Sequence, residues 1–202
     1  MTASLSSSLS GGPGHSRKPQ RGLHAVPQPA AAPVLRLVAQ PEGLLQVHTA
    51  PFRGSVPTVL SQALRAAGLG SRVLIGQFLK GGVDQGVGRA PTLCGRLQWM
   101  RPAMAVCVDG PAAADDAAAL AQRQAIVEVW HHCREQLLAG AVDLMVLDEL
   151  GLAIAYGYLD LETVLATLEQ RPAQMDVILT GPAMPDSLMA MADQVTQLRR
   201  GF

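Results

Sequence analysis

The stretch LLQVHTAPFRGSVPTVLSQALRAAG, residues 44–68, decides the fold. Residues 44–49 form a short apolar run rich in strand formers. Further on, Val59, Leu60, Ala63, Leu64 and Ala67 recur at helical spacing, so a helix is predicted over residues 58–67. Pro57 suits the first helical position, where its missing N–H would have no intrahelical partner. Ser55 or Val56 precedes it, and Gly68 and Gly70 stop the helix. The segment reads as strand, tight loop, helix.

In α/β proteins such a unit is where a phosphate-binding loop is placed. The general pattern GxxxxGK[ST] uses glycines to bring backbone N–H groups to the phosphates. Its lysine reaches the terminal phosphates, and its hydroxyl holds magnesium. Here the loop is Ala50-Pro51-Phe52-Arg53-Gly54-Ser55-Val56. Gly54 remains, but Ser55 stands where the lysine belongs and Val56 replaces the hydroxyl residue. Charge-assisted hydrogen bonds contribute roughly 1.5–3 kcal/mol each, so the loop departs from the pattern at its strongest contacts. The motif alone does not mark it as nucleotide-binding.

Working outward, residues 71–78 (SRVLIGQF) read as a buried parallel strand ending in Lys80-Gly81-Gly82. Short strands are expected over 93–99 and 105–108, and the longest helical pattern runs over 115–139, with Asp115 and Asp116 at its positive end. Residues 144–147 are a strand running into Asp148-Glu149. Asp160 caps a helix over 161–171, residues 177–180 form another strand, 185–191 a short helix and 194–198 a last strand. This alternation predicts an α/β fold with a mostly parallel sheet, helices on both faces and ligands at the carboxyl ends of the strands. Residues 1–42, basic and rich in Ser, Pro and Gly, read as a disordered tail, and residues 43–202 as the folded domain.

Sixteen basic residues balance sixteen acidic ones, which removes any global electrostatic case for nucleic acid or an anionic membrane. No apolar run approaches the length that spans a bilayer. Cys94, Cys107 and Cys133 lack metal-ligand spacing and fit free thiols in a reducing cytoplasm. His131-His132-Cys133 does not read as a metal site, because adjacent helical residues point about 100° apart.

Across residues 47–198 the sequence resembles the P-loop-type corrinoid (cob(I)alamin, cob(I)yrinic acid a,c-diamide) adenosyltransferases. The matching stretches, in the family's order, are VHT, ALRAAGLGSRV, QFLKGG, the Trp99 segment, DLMVLDEL, YGYLDLETVLATLEQRP, VILTG and ADQVTQL. The resemblance implies a P-loop NTPase-like fold and transfer of the 5′-deoxyadenosyl group of ATP to a Co(I) corrinoid. It also implies ATP, magnesium and a corrinoid as ligands, and a homodimer. Thr49, Arg53, Gly54, Ser55 and Val56 match the nucleotide loop, and Asp148 and Glu149 match the acidic pair on the metal side. Trp99, with Gln77 and Lys80, matches the corrinoid side. Without the resemblance, acids at a strand tip also fit a plain solvent-exposed strand end, Trp99 a core residue and Lys80 a solvated loop. Tyr156 and Tyr158 read as packing residues.

The losses of the loop lysine, hydroxyl and glycines fall on triphosphate binding. Beyond the loop, Leu97 and Gln98 replace the family's aromatic-Thr pair before Trp99, Pro182 follows Thr180-Gly181 where the family has arginine, and the chain ends at Phe202. Two readings compete: an adenosyltransferase with weak or altered ATP use, and a non-catalytic binding, partner or regulatory module on the same fold. An unrelated P-loop kinase needs the same absent lysine and is set aside.

Overall fold

The run LQVHT forms strand β1 (Leu45–Thr49), and helix α1 (Pro57–Gly68) follows the loop. A computed structural model of the protein describes residues 42–54, 57–82, 86–111 and 117–199. Of the expected tail at 1–42, all but Glu42 lies outside the described residues, as do Ser55, Val56, Asp115, Asp116 and residues 200–202. Strand β2 (Val73–Gln77) leads through a short 3-10 turn (Val87–Arg89) to β3 (Thr92–Leu93) and β4 (Leu97–Met100). Then come α2 (Ala117–Leu138), β5 (Leu144–Asp148), α3 (Leu150–Ala155) and α4 (Leu161–Glu169). The series closes with β6 (Asp176–Thr180), α5 (Asp186–Met191) and β7 (Gln194–Gln197).

The strands make one sheet in the order β3-β4-β2-β5-β6-β1-β7. Its pairs are parallel except for the β3–β4 hairpin at one edge. VLIGQ and LMVLD are buried at every position, as central strands covered on both faces must be. Edge strand β7 is largely exposed. Period-two alternation divides the core. Leu74, Met145, Leu147, Val177 and Leu179 face the helices after α1, packing with Ile126 and Val129 of α2, Val164 of α4 and Leu188 of α5. Val73, Ile75, Leu144, Val146 and Ile178 meet Val59, Ala63 and Ala67 of α1 on the other face. The expected mostly parallel sheet with helices on both faces is the architecture found. Among the described residues no helix is long and apolar enough to cross a membrane.

Two local expectations are corrected, and one element was not foreseen. Residues 105–108 are not a strand. Gly81 presses against that segment so closely that an added Cβ would meet the Val106 carbonyl oxygen at 2.1 Å. The Gly82 N–H donates to Met104 O and the Val108 N–H to Leu79 O, so the segment walls the loop after β2 instead of joining the sheet. Residues 93–99 are not one strand but a hairpin. Cys94 and Gly95 at its turn are both left-handed (φ 52° and 69°), as primed hairpin turns require. Helix α3 was not foreseen. Its sequence LGLAIA has no 3.6-residue periodicity, and its cap position, Glu149, makes no side-chain cap hydrogen bond.

Candidate functional site at the carboxyl ends of the strands

The parallel register sets up a lateral row of side chains. Gly76 pairs with Met100, Gln77 with Asp148, Leu147 with Leu179 and His48 with Thr180. Arg101, Gln77, Asp148, Thr180 and His48 therefore follow one another across the carboxyl edge of β4, β2, β5, β6 and β1. All stand on the α1 face, two residues beyond the apolar layer of Trp99, Ile75, Val146 and Ile178.

Gln77 is the hinge of this row. Its Oε1 accepts from Trp99 Nε1–H at 2.8 Å and from Arg101 Nε–H at 2.7 Å. Both partners can only donate, so the amide oxygen must face them and the NH₂ must face the other way. There it donates to Asp148 Oδ2 at 2.6 Å. Asp148, 1% exposed, also takes Lys80 Nζ at 3.0 Å on the same oxygen and Thr180 Oγ1–H at 2.5 Å on Oδ1. A carboxylate this buried is tolerable because it is paired and fully hydrogen-bonded. Trp99 is only half-buried. The core tryptophan is Trp130, which packs edge-on against Phe78.

Glu149 belongs to a second cluster. It too is 1% exposed, and it receives Arg53 Nε and Nη2 in a bidentate pair at 3.0 Å each. Arg53 Nη1 donates to Val108 O at 2.5 Å and to Asp109 Oδ1 at 2.6 Å. The hydrogen bond to Glu149, with the charges of Glu149 and Asp109, holds the guanidinium above its already high pKa. Glu149 has a left-handed backbone (φ 62°), which points its carboxylate at the loop as the chain turns into α3. Gly181 makes room for it. An added Cβ there would lie 2.9 Å from Glu149 Cα, and its φ of 118° disfavours any other residue.

The structure thus brings together Gln77, Lys80, Trp99 and Asp148 in one connected cluster, with Arg53 and Glu149 beside it. Thr49 lies apart, lining a cavity of about 380 Å³ with Pro51, Met184, Met189 and Leu198. Gly54 is left-handed at φ 142°, and Ser55 and Val56 of the same loop are not described. As they stand, the acidic pair does not fit a magnesium ion. Lys80 and Arg53 already hold the two carboxylates, and an incoming ion would have to break the Arg53–Glu149 pair. Among the described residues no three His, Cys, Asp or Glu side chains gather as a metal site. His48 Nε2 is buried without a hydrogen-bond partner among the described residues, and burial pushes the His48 pKa down.

A parallel sheet with a loop-to-helix turn after β1 and an acidic pair after β5 is shared by many nucleotide enzymes, so the family must come from the sequence that builds it. Residues 41–201 match the family model described as ATP:corrinoid adenosyltransferase BtuR/CobO/CobP. The chain belongs to this family. Corrinoid adenosyltransferase of Escherichia coli (strain K12) is 33% identical over 157 residues, covering 78% of this chain and 76% of that protein. Corrinoid adenosyltransferase CobA of Salmonella typhimurium is 34% identical over 158 residues, with the same coverage. The Pseudomonas aeruginosa corrinoid adenosyltransferase is 31% identical over 157 residues, covering 77% and 74%. The P-loop NTPase-like architecture is the fold of this adenosyltransferase family.

Arg101, Asp109 and the role of Thr180 were missed from sequence. A signal existed for Arg101: it stands two residues after Trp99 and so on the same face of the chain. Asp109 gave none, since it meets Arg53 only through the irregular wall at 104–109.

Proposed function

We propose that this chain is a corrinoid adenosyltransferase that keeps Trp99, Gln77 and Lys80 on its corrinoid side and is weakened on its nucleotide side, so that it uses ATP poorly. The observation that carries this reading is the Arg53–Glu149 pair. Arg53 is the cation left in the degenerate loop, and its fork is spent on Glu149 and Asp109. To meet a triphosphate it would have to abandon a buried carboxylate, and leaving such a charge unpaired costs about 3–5 kcal/mol.

In the family reaction the Co(I) electron pair attacks C5′ of ATP. A cobalt–carbon bond forms, the C5′–O bond breaks and triphosphate leaves. The protein's part is to hold the leaving group, orient the ribose and keep water from the cobalt. Here Trp99 would lie against the corrin ring, with Gln77 fixing its edge, and Gln77 is itself held by Asp148. Lys80 keeps Asp148 neutralised. Around the triphosphate, Gly54 and the loop backbone would supply N–H donors, with Ser55 adding a neutral hydrogen bond. Val56 adds none. Neutral donors are about half as strong as charge-assisted ones. Magnesium would arrive with ATP and neutralise phosphate charge; Asp148 and Glu149, paired with Lys80 and Arg53, are not placed to hold it.

The test is adenosylation of cob(I)alamin with ATP and magnesium, following the absorbance change as the cobalt–carbon bond forms. Slow turnover that needs high ATP is expected. A rate comparable to that of the Escherichia coli relative under the same conditions would overturn the reading. Corrinoid binding with no adenosylation at any ATP concentration would favour the non-catalytic module.

A further inference from the structure

Packing holds Trp99 on one side only: the ring is partly buried against the α1 layer of the core. Polar contacts hold the rest. The indole N–H is taken by Gln77 Oε1, and the guanidinium carbon of Arg101 lies 5.9 Å from the centre of the ring. Arg101 Nε–H is itself anchored on Gln77 Oε1. Turning the indole about its side-chain bonds would break the contact at its edge and the contact at its face together.

This support has a far end. Gln77 spends its NH₂ on Asp148 Oδ2, and Asp148 is held in turn by Lys80 on the same oxygen and by Thr180 on the other. Both carboxylate oxygens are thus occupied inside the protein. The register makes the arrangement specific: Gln77 pairs with Asp148 across β2 and β5, and Gly76 with Met100 across β2 and β4. The end of β2 therefore lies between the two charged residues, which grip one amide from opposite ends. An acid that the sequence places on the metal side is joined instead to the tryptophan. We propose that Arg101 and Asp148 are positioning residues for Trp99, acting through Gln77, and that Asp148 does this by accepting a hydrogen bond and not by holding magnesium. This rests on the proposed corrinoid side of the site.

The experiment uses the full chain carrying Trp130→Phe, which leaves Trp99 as its single indole. Fluorescence anisotropy decay and acrylamide quenching then report on that ring alone. In this background Trp99 should turn with the whole protein. Arg101→Met and Asp148→Ala should each raise quenching and add local rotation on the picosecond-to-nanosecond scale of a loose side chain. Arg101→Lys should restore part of the order. Asp148→Asn should restore nearly all of it, because its carbonyl still accepts from Gln77 while its NH₂ meets the Thr180 hydroxyl, which can accept. In the adenosylation assay Arg101→Met and Asp148→Ala should lower kcat about tenfold, the scale of a misplaced group, and leave KM for ATP unchanged. A ring that stays fixed in either variant removes that residue from the proposal, and if Asp148→Ala does not fold, Arg101→Met and Asp148→Asn decide. Asp148→Asn as damaging as Asp148→Ala, or a raised KM for ATP in either, would overturn the role given to Asp148 and return it to the nucleotide side. A background protein with no adenosylation would overturn the proposed function, while the fluorescence still decides what fixes Trp99.

Discussion

The two halves of the strand-end edge carry their cations differently. At the β1 half, Arg53 is turned inward and closed on a buried carboxylate. At the β4 half, Arg101 is tethered by one N–H and leaves its fork open beside a half-buried tryptophan. Both halves stand on the same sheet, and both stem from strand ends of similar burial. The contrast therefore comes from side-chain pairing and not from a difference in scaffold. Under the proposed function, the family fold is kept while the loop cation is turned from the nucleotide into the protein.

The largest expected difference between the halves is in stability. Arg53→Met strands Glu149 without a partner and should cost about 3–5 kcal/mol, read as a lower urea midpoint. Arg101→Met removes a half-buried side chain with no ion pair among the described residues and should cost under about 1 kcal/mol. Equal losses would erase the contrast. Next in size is the repair of the loop. Ala50→Gly, Phe52→Gly, Ser55→Lys and Val56→Thr together should tighten MgATP binding by about a hundredfold, one to two charge-assisted contacts, and leave corrinoid binding unchanged. If affinity does not rise, the Arg53–Glu149 pair or the residue after Gly181 governs the nucleotide half, and Arg53 is not merely a leftover of the motif.

Smaller effects test the shared scaffold behind both halves. Cys133 packs into the notch left by Gly76, where an added Cβ would lie 2.7 Å from its sulfur. Burial pushes its thiol up to about 12. In the native protein at pH 8, thiol reagents should therefore label Cys94 and Cys107, which are exposed, and spare Cys133 until unfolding. The smallest effect is at His48, whose folded pKa lies below its ordinary 6.5 through burial. Between those two values the unfolded state binds more protons, so this stability is present above pH 6.5 and lost as pH falls toward the folded pKa. His48→Gln should flatten that part of the stability curve in thermal melts at stepped pH.

Much of the molecule was legible because its signals are local. VLIGQ and LMVLD are continuous apolar runs that only a covered parallel strand explains, and the α1 periodicity placed Val59, Ala63 and Ala67 on the core side. Asp160 was read as a cap, and its carboxylate does accept from the Thr163 N–H. What stayed hidden depends on distant pairing. Arg53 and Glu149 are 96 residues apart, so the commitment of the loop cation could not be seen in the loop. The Gln77 hinge requires the register of β4 on β2, and no periodicity supplies it. Residues 105–108 look like a strand on apolar content alone, yet close packing of Gly81 against that backbone decides their path.

The central claim is that the nucleotide half is closed by the protein's own charges. It is tested most directly by calorimetric titration of MgATP into the wild type and into Glu149→Gln, which removes the buried charge holding the Arg53 fork without emptying the site. Weak, millimolar binding by the wild type and a gain of about tenfold in Glu149→Gln are expected, as one charge-assisted contact becomes available to phosphate. Micromolar binding by the wild type, or a loss of affinity in Glu149→Gln, would contradict the account.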